Sequence, residues 1–481
     1  MKAMAISARY WQFGGLTATW SLVCLPAMAL CPAELPAALD AIAAQPALTG
    51  ARLGVQVETL SGEAVVSREG DLFFVPASTL KLLTSAAVLT ELGPEYTLQT
   101  SVLRNLNVDG TSELVVVGGG DPSFSQVHLD ALADQLVLRN IGPINRLYGD
   151  ESAFPGEIVN PNWEWEDVQA GYGAPVNTLI LNENEIGLSL VPQGIGEPLQ
   201  VIWDEPSQGN GWTIENYSTT VAAGASEFVS VGRDLGRPVL RVWGQLIASS
   251  ASETAAIAEP NPGQAFLNRL QRALERRGLD VQHTQLAPQP TSDDWQLLIT
   301  VESPQLADLL IPTNQNSNNL YAEVLLKTLG RQQANATDAT EAGIAIARQT
   351  LQSLGVDLSG MVMVDGSGLA RKNLITPEAM VDVLQAMARS PHADTYRNSL
   401  AVAGVSGTLR NRLRDTPAAG RLYGKSGAIS RNFALAGYLE PSTYEPLAFN
   451  IVINNINARG SVARPIIDEI VLQLAALEVC D

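Results

Sequence analysis

The chain has 481 residues, 46% hydrophobic and 17% charged, which excludes a disordered polymer and leaves room for two or three domains with their own cores. A formal net charge of −20 repels polyphosphate backbones and sets aside nucleic acid as a partner. Of 30 basic residues only five are lysines, at positions 2, 81, 327, 372 and 425, so the placement of a lysine is informative.

In chain order, residues 1–29 read as a secretion signal: Lys2 and Arg9, an apolar stretch through Leu16 to Leu25, then Ala27-Met28-Ala29 as a cleavage site. Thr17, Thr19 and Ser21 interrupt that stretch, and it is short of the ~20 residues a span needs. An exported protein without a stable transmembrane anchor is expected. Cys24 leaves with the signal, and Cys31 and Cys480 remain at the two ends of the mature chain. An even pair in an exported protein points to a disulfide between them.

Glu34 to Ala44 reads as a helix, and "ARLGVQVETL" and "EAVVS" read as strands joined at Ser61-Gly62. The apolar helix Val75 to Gly93 follows, stopped by Gly93-Pro94. From about Tyr96 to Trp295 the texture changes to short strand patterns between Gly, Pro, Asn and Asp turns, with one helix, Gly263 to Arg277. Helical patterns return over Gln305 to Gln352 and Thr376 to Ser390. Three strand patterns, "RLYGKSGAI", "NFALAGYLE" and "PLAFNIVINN", then precede a helix from about Arg464 to Val479. The expected class is α+β: an antiparallel five-stranded sheet, two strands from the beginning and three from the end, with helices on both sides. The expected partition is 30–96 with 296–481 as this domain, 97–182 with 259–295 as an inserted domain, and 183–258 as a β-rich piece nested within it.

Ser78 and Lys81 are three residues apart at a helix start, which places both side chains on one face. A serine hydroxyl needs a neighbouring base, and a lysine serves if desolvation, nearby cations or the helix dipole depress its pKa. Alone, this spacing equally describes a helix cap beside a solvent-seeking lysine. Two further patterns change its meaning: Ser317-Asn318-Asn319 ahead of a helix, and Lys425-Ser426-Gly427 within a strand. The order S-x-x-K, S-x-N, K-[ST]-G is the motif set of penicillin-binding proteins and serine β-lactamases. A histidine triad is disfavoured, because His128, His283 and His392 stand in polar or turn-like contexts and no G-x-S-x-G elbow is present. No zinc-binding spacing occurs, and no metal or organic cofactor is expected.

With "GGGDPSF", "GAPVNTLILNEN", "DGSGLARKN" and "SGTLRNRL", the mature chain resembles the D-alanyl-D-alanine carboxypeptidases/endopeptidases of the penicillin-binding protein 4 type over nearly its whole length. The resemblance implies a β-lactamase/transpeptidase-like domain with a long two-domain insertion between the first and second motifs, periplasmic location, peptidoglycan peptides as substrates and β-lactams as covalent inhibitors. It implies Ser78 as nucleophile, Lys81 as its base, Ser317 as proton relay, Asn319 as orienter, and Lys425 as a source of positive potential. Ser426 and Gly427 would face the substrate, and the N–H groups of Ser78 and Ala428 would form an oxyanion hole. Ser426 stands where the family usually has threonine, Ala428 where it often has a hydroxyl, and Asn318 where aspartate is commoner. A β-lactam hydrolase on the same scaffold and a catalytically idle wall-binding protein are the competing readings.

Overall fold

The computed structural model describes residues 30–108, 110–288 and 294–480; the stretch read as a secretion signal lies outside them. Among the described residues no helix is long and apolar enough to cross a membrane. The chain divides into two compact units, one comprising 165–174 and 185–260, the other holding the rest of the described chain.

The larger unit is organised by an antiparallel sheet in the order Ala401–Val402, Leu422–Ile429, Asn432–Leu439, Leu447–Asn454, Arg52–Thr59, Ala64–Arg68. It has six strands rather than the five expected. The extra one is two residues long, pairs with Tyr423 and Gly424, and carries no periodicity a sequence could show. Asn432–Leu439 and Leu447–Asn454 are buried at every position, as central strands covered on both faces must be. One face packs Leu35 and Leu39 of the first helix with Ile467, Ile470 and Leu474 of the last, Gly460–Ala475. The other face receives Leu82, Leu83 and Ala86 of the helix Lys81–Leu92, together with Leu325, Leu326, Met380 and Leu384. The sheet is therefore the middle layer between two helical layers.

Cys31 and Cys480 are bonded, with Cα atoms 5.7 Å apart, and the Leu30 N–H donates to Ala476 O at 3.0 Å beside them. Replacing both cysteines by serine is expected to lower unfolding stability by roughly 2–5 kcal/mol. The native helices stay packed, so activity at room temperature should persist; equal denaturation midpoints for the two proteins would refute the expectation.

The same unit carries a mixed five-stranded sheet, in the order Val281–Leu286, Ile144–Asp150, Ser112–Val117, Gln99–Leu106, Gln296–Glu302. Two helices cover it, Gln126–Leu138 through Leu129, Leu132 and Leu136, and Pro262–Glu275 through Phe266, Leu267 and Leu270. The sequence reading held only the second. Val127 and Leu138 of the first are 76% and 79% exposed, which blurs the apolar stripe by which a helix is recognised.

The smaller unit contains two three-stranded sheets, Glu253–Ala258 with Glu185–Val191 and Gln200–Trp203, and Thr213–Val221 with Val239–Ile247 and Phe228–Arg233. Leu188, Leu190 and Ile257 of the first meet Leu240, Val242 and Leu246 of the second in a common core. Glu253–Ala258, "ETAAIA", was not read as a strand: its alanines favour helix, and pairing with Glu185–Val191 overrides that preference.

Candidate active site

Ser78 sits in a 3-10 turn, Ala77–Leu80, that runs straight into the helix Lys81–Leu92. Ala77, just before it, has φ +50°, a left-handed conformation that costs a non-glycine residue about 1–3 kcal/mol and must be held by its surroundings. Two glycines allow that. A Cβ on Gly427 would lie 2.7 Å from Pro76 O and 3.2 Å from Ser78 N, and one on Gly368 would lie 1.9 Å from Ala77 O. The sequence reading assigned Gly427 to the approach of a substrate backbone; the structure shows the protein's own serine turn pressed against it.

Lys81 is fully buried, and its Nζ has three partners: Asn319 Oδ1 at 2.7 Å, Ser367 O at 2.7 Å and Ser78 Oγ at 3.2 Å. The first two are carbonyl oxygens and can only accept. A neutral amine has two hydrogens and one lone pair, so it can satisfy both carbonyls and still accept the Ser78 O–H. Burial drives Lys81 toward that state, lowering its pKa to about 7 against the opposing pull of Asp365 and, less strongly, Glu323.

Of these partners, Ser367 was quoted in the sequence only as part of "DGSGLARKN". Asp365 accepts from Gly368 N, Ala370 N, Asn373 Nδ2 and Trp163 Nε1 at 2.6–3.1 Å, which closes this segment into a rigid loop. Glu323 Oε1 accepts from Gly366 N at 3.0 Å and Ser367 N at 2.8 Å, fixing the two peptides just before the one whose carbonyl faces Lys81, while Asp365 holds that peptide's own N–H, at Gly368. Glu323 is four residues after Asn319 on the buried helix Asn319–Gly330, so both polar groups share one face. Burial, then the neighbouring Asp365, pushes its carboxyl up to about 7. A carboxylate in so apolar a helix was the available signal, and the sequence reading passed over it.

The second serine, Ser317, also adopts a left-handed conformation, φ +62°. Lys425 Nζ donates to Ser317 Oγ at 2.8 Å and to Ser426 O at 2.6 Å. Lys425 is fully buried and its pKa is held well below the usual lysine range, by desolvation and then by the charge of Lys81. Ser426 Oγ pairs with Thr408 Oγ1 at 2.7 Å, and Ala428, on the same strand, is exposed. Asn318 caps the helix by accepting from Tyr321 N at 3.2 Å. The structure thus brings Ser78, Lys81 and Asn319 into one hydrogen-bonded cluster and Ser317, Lys425 and Ser426 into another, with Gly427 against the Ser78 turn. His128 Nδ1 instead accepts from Ser125 N at 3.0 Å, at the start of a helix in the region read as the insertion.

A serine turn over an antiparallel sheet, with a buried lysine as its one titratable hydrogen-bond partner among the described residues, is an arrangement suited to serine acyl transfer. The chain belongs to the D-Ala-D-Ala carboxypeptidase 3 (S13) family, whose model matches residues 35–477, and it is a serine-type carboxypeptidase of that family. It is 35% identical over 463 residues to a D-alanyl-D-alanine carboxypeptidase of Actinomadura sp. strain R39, covering 92% of this chain and 84% of the relative. Penicillin-binding protein 4 from Haemophilus influenzae shares the fold with a TM-score of 0.77 at 23% identity, over 92% of this chain and 98% of that one, and has also been solved with a β-lactam. A predatory peptidoglycan endopeptidase from Bdellovibrio bacteriovorus is a more distant match in fold, with a TM-score of 0.53 at 17% identity over 88% and 92% of the two chains.

Proposed function

We propose that Ser78 is the nucleophile of a D,D-carboxypeptidase and D,D-endopeptidase acting on peptidoglycan stem peptides. The observation that carries this reading is the three-partner environment of Lys81, which leaves a lone pair for the Ser78 proton. As the Oγ–C bond forms at the carbonyl between two D-alanines, the proton moves to Lys81 Nζ, and charge develops on an oxygen facing the Ser78 and Ala428 N–H groups. Ser317 relays that proton, taking one from Lys81 as it gives its own to the leaving amine, the C–N bond breaks, and terminal D-alanine departs. Water then hydrolyses the acyl-enzyme with the same groups in reverse roles. The substrate carboxylate meets Ser426 and Lys425, and its charge favours the Lys425 ammonium against burial. Asn319 fixes the amine, and Gly427 admits the nucleophile turn. β-Lactams acylate Ser78 as mimics of the D-Ala-D-Ala end.

Export to the periplasm belongs to the same reading, and the Cys31–Cys480 bond supports it, since disulfides persist in oxidising compartments. The partition belongs to this reading too, with its second boundary moved: Gln296–Glu302 pairs with Gln99–Leu106, so the inserted stretch runs past 295 to about 302. Digested muropeptides incubated with the protein are expected to lose a terminal alanine and, where cross-linked, to fall from dimers to monomers by mass spectrometry. A protein that is acylated by penicillin yet leaves both kinds of muropeptide intact would overturn the peptidase reading.

A further inference from the structure

The side chain between Ser317 and Asn319 has two bonds rather than one. Asn318 Oδ1 accepts from Tyr321 N, and Asn318 Nδ2 donates to Glu183 Oε2 at 2.6 Å, across 135 residues of sequence. An aspartate at 318 could still cap the helix, but it would set a second carboxylate against Glu183. The amide is therefore matched to this partner.

Glu183 is itself firmly seated. Asn182, Glu183 and Asn184 have φ of +49°, +58° and +54°, three successive left-handed residues without a glycine. Their neighbours hold them there: Asn182 N donates to Phe124 O at 2.9 Å, Asn182 Oδ1 accepts from Gln126 N at 2.9 Å, and Asn184 Nδ2 donates to Pro175 O and Asn177 Oδ1 at 2.8 Å each. Backbone strain of this kind persists only where surroundings over-determine it, and here it aims one carboxylate at Asn318. Glu183 is largely buried and Asn318 is its hydrogen-bond donor, with Tyr321 within electrostatic reach of the carboxylate.

We infer that Glu183 is a positioning residue for the second serine: through Asn318 it fixes the strained Ser317 turn and so the distance from Ser317 Oγ to Lys425. The inference rests on the proposed relay role of Ser317. It also accounts for an asparagine where aspartate is commoner.

The test exchanges donor and acceptor. Acylation by a chromogenic cephalosporin is followed by stopped flow, which separates non-covalent binding from the acylation step, with circular-dichroism melting of each protein. Asn318→Asp is expected to slow acylation about 10- to 100-fold while binding changes little, because misplacing a proton relay costs the chemical step. Glu183→Gln keeps an acceptor for Asn318 and should cost no more than about fivefold. In Glu183→Gln/Asn318→Asp the new amide donates to the new carboxylate, and the rate should return to within about fivefold of wild type. An Asn318→Asp protein as fast as wild type, or a double variant that is slow or unfolded, overturns the inference. Failure of the wild-type protein to acylate at all would instead count against the proposed function.

Discussion

Ser78→Ala is expected to abolish covalent labelling by a fluorescent penicillin and to lower D-alanine release by on the order of 10⁶-fold, the scale seen when a serine nucleophile is removed. Ser78 Oγ bonds to Lys81, and the residue lies in a turn already held by the Gly427 and Gly368 contacts. Removing one oxygen opens no cavity, so the melting temperature should move by only a degree or two. A Ser78→Ala protein that still carries the label would assign the nucleophile elsewhere.

Lys81→Met should slow acylation by roughly 10²- to 10⁴-fold, the contribution of a positioned general base. Its pH dependence is the sharper check. With Lys81 depressed to about 7, the free base is the active form, so wild-type acylation should rise as pH passes upward through that value. Glu323→Gln removes a charge that favours the ammonium, so this rise should move to lower pH; a shift upward would refute the assignment. Stability follows the same protons. The folded pKa of about 7 lies below the ordinary lysine value of 10.5, so between these pH values the unfolded chain binds more protons and folding stability increases with pH. Wild type should therefore gain stability relative to Lys81→Met across that window, as denaturant titrations at pH 7 and pH 10 would show.

The residues proposed as catalytic were legible because chemistry restricts them to short spacings in a chain poor in lysine. The helices and strands around them were legible because each pairs a clear period with a clear stop, as at Gly93-Pro94. Ser367 was not, since it acts through a backbone carbonyl, which any residue could supply. Glu323 and Glu183 work by contacts with residues distant in sequence, and no local pattern encodes those. The edge strand Ala401–Val402 and the strand "ETAAIA" exist because a neighbour pairs with them, so their own residues carry little of the signal.

The central sheet joins the chain's two ends in one ladder, Arg52 lying opposite Asn454 and Thr59 opposite Leu447. Synthesis separates those partners in time, so Arg52–Thr59 and Ala64–Arg68 lack their long-range neighbour until Leu447–Asn454 has been made. The smaller unit, whose two sheets share a core of their own, can condense earlier. The strand that carries Lys425 joins that ladder through Asn432–Leu439, so the layer facing the Ser78 turn is the product of pairing between segments made far apart in time.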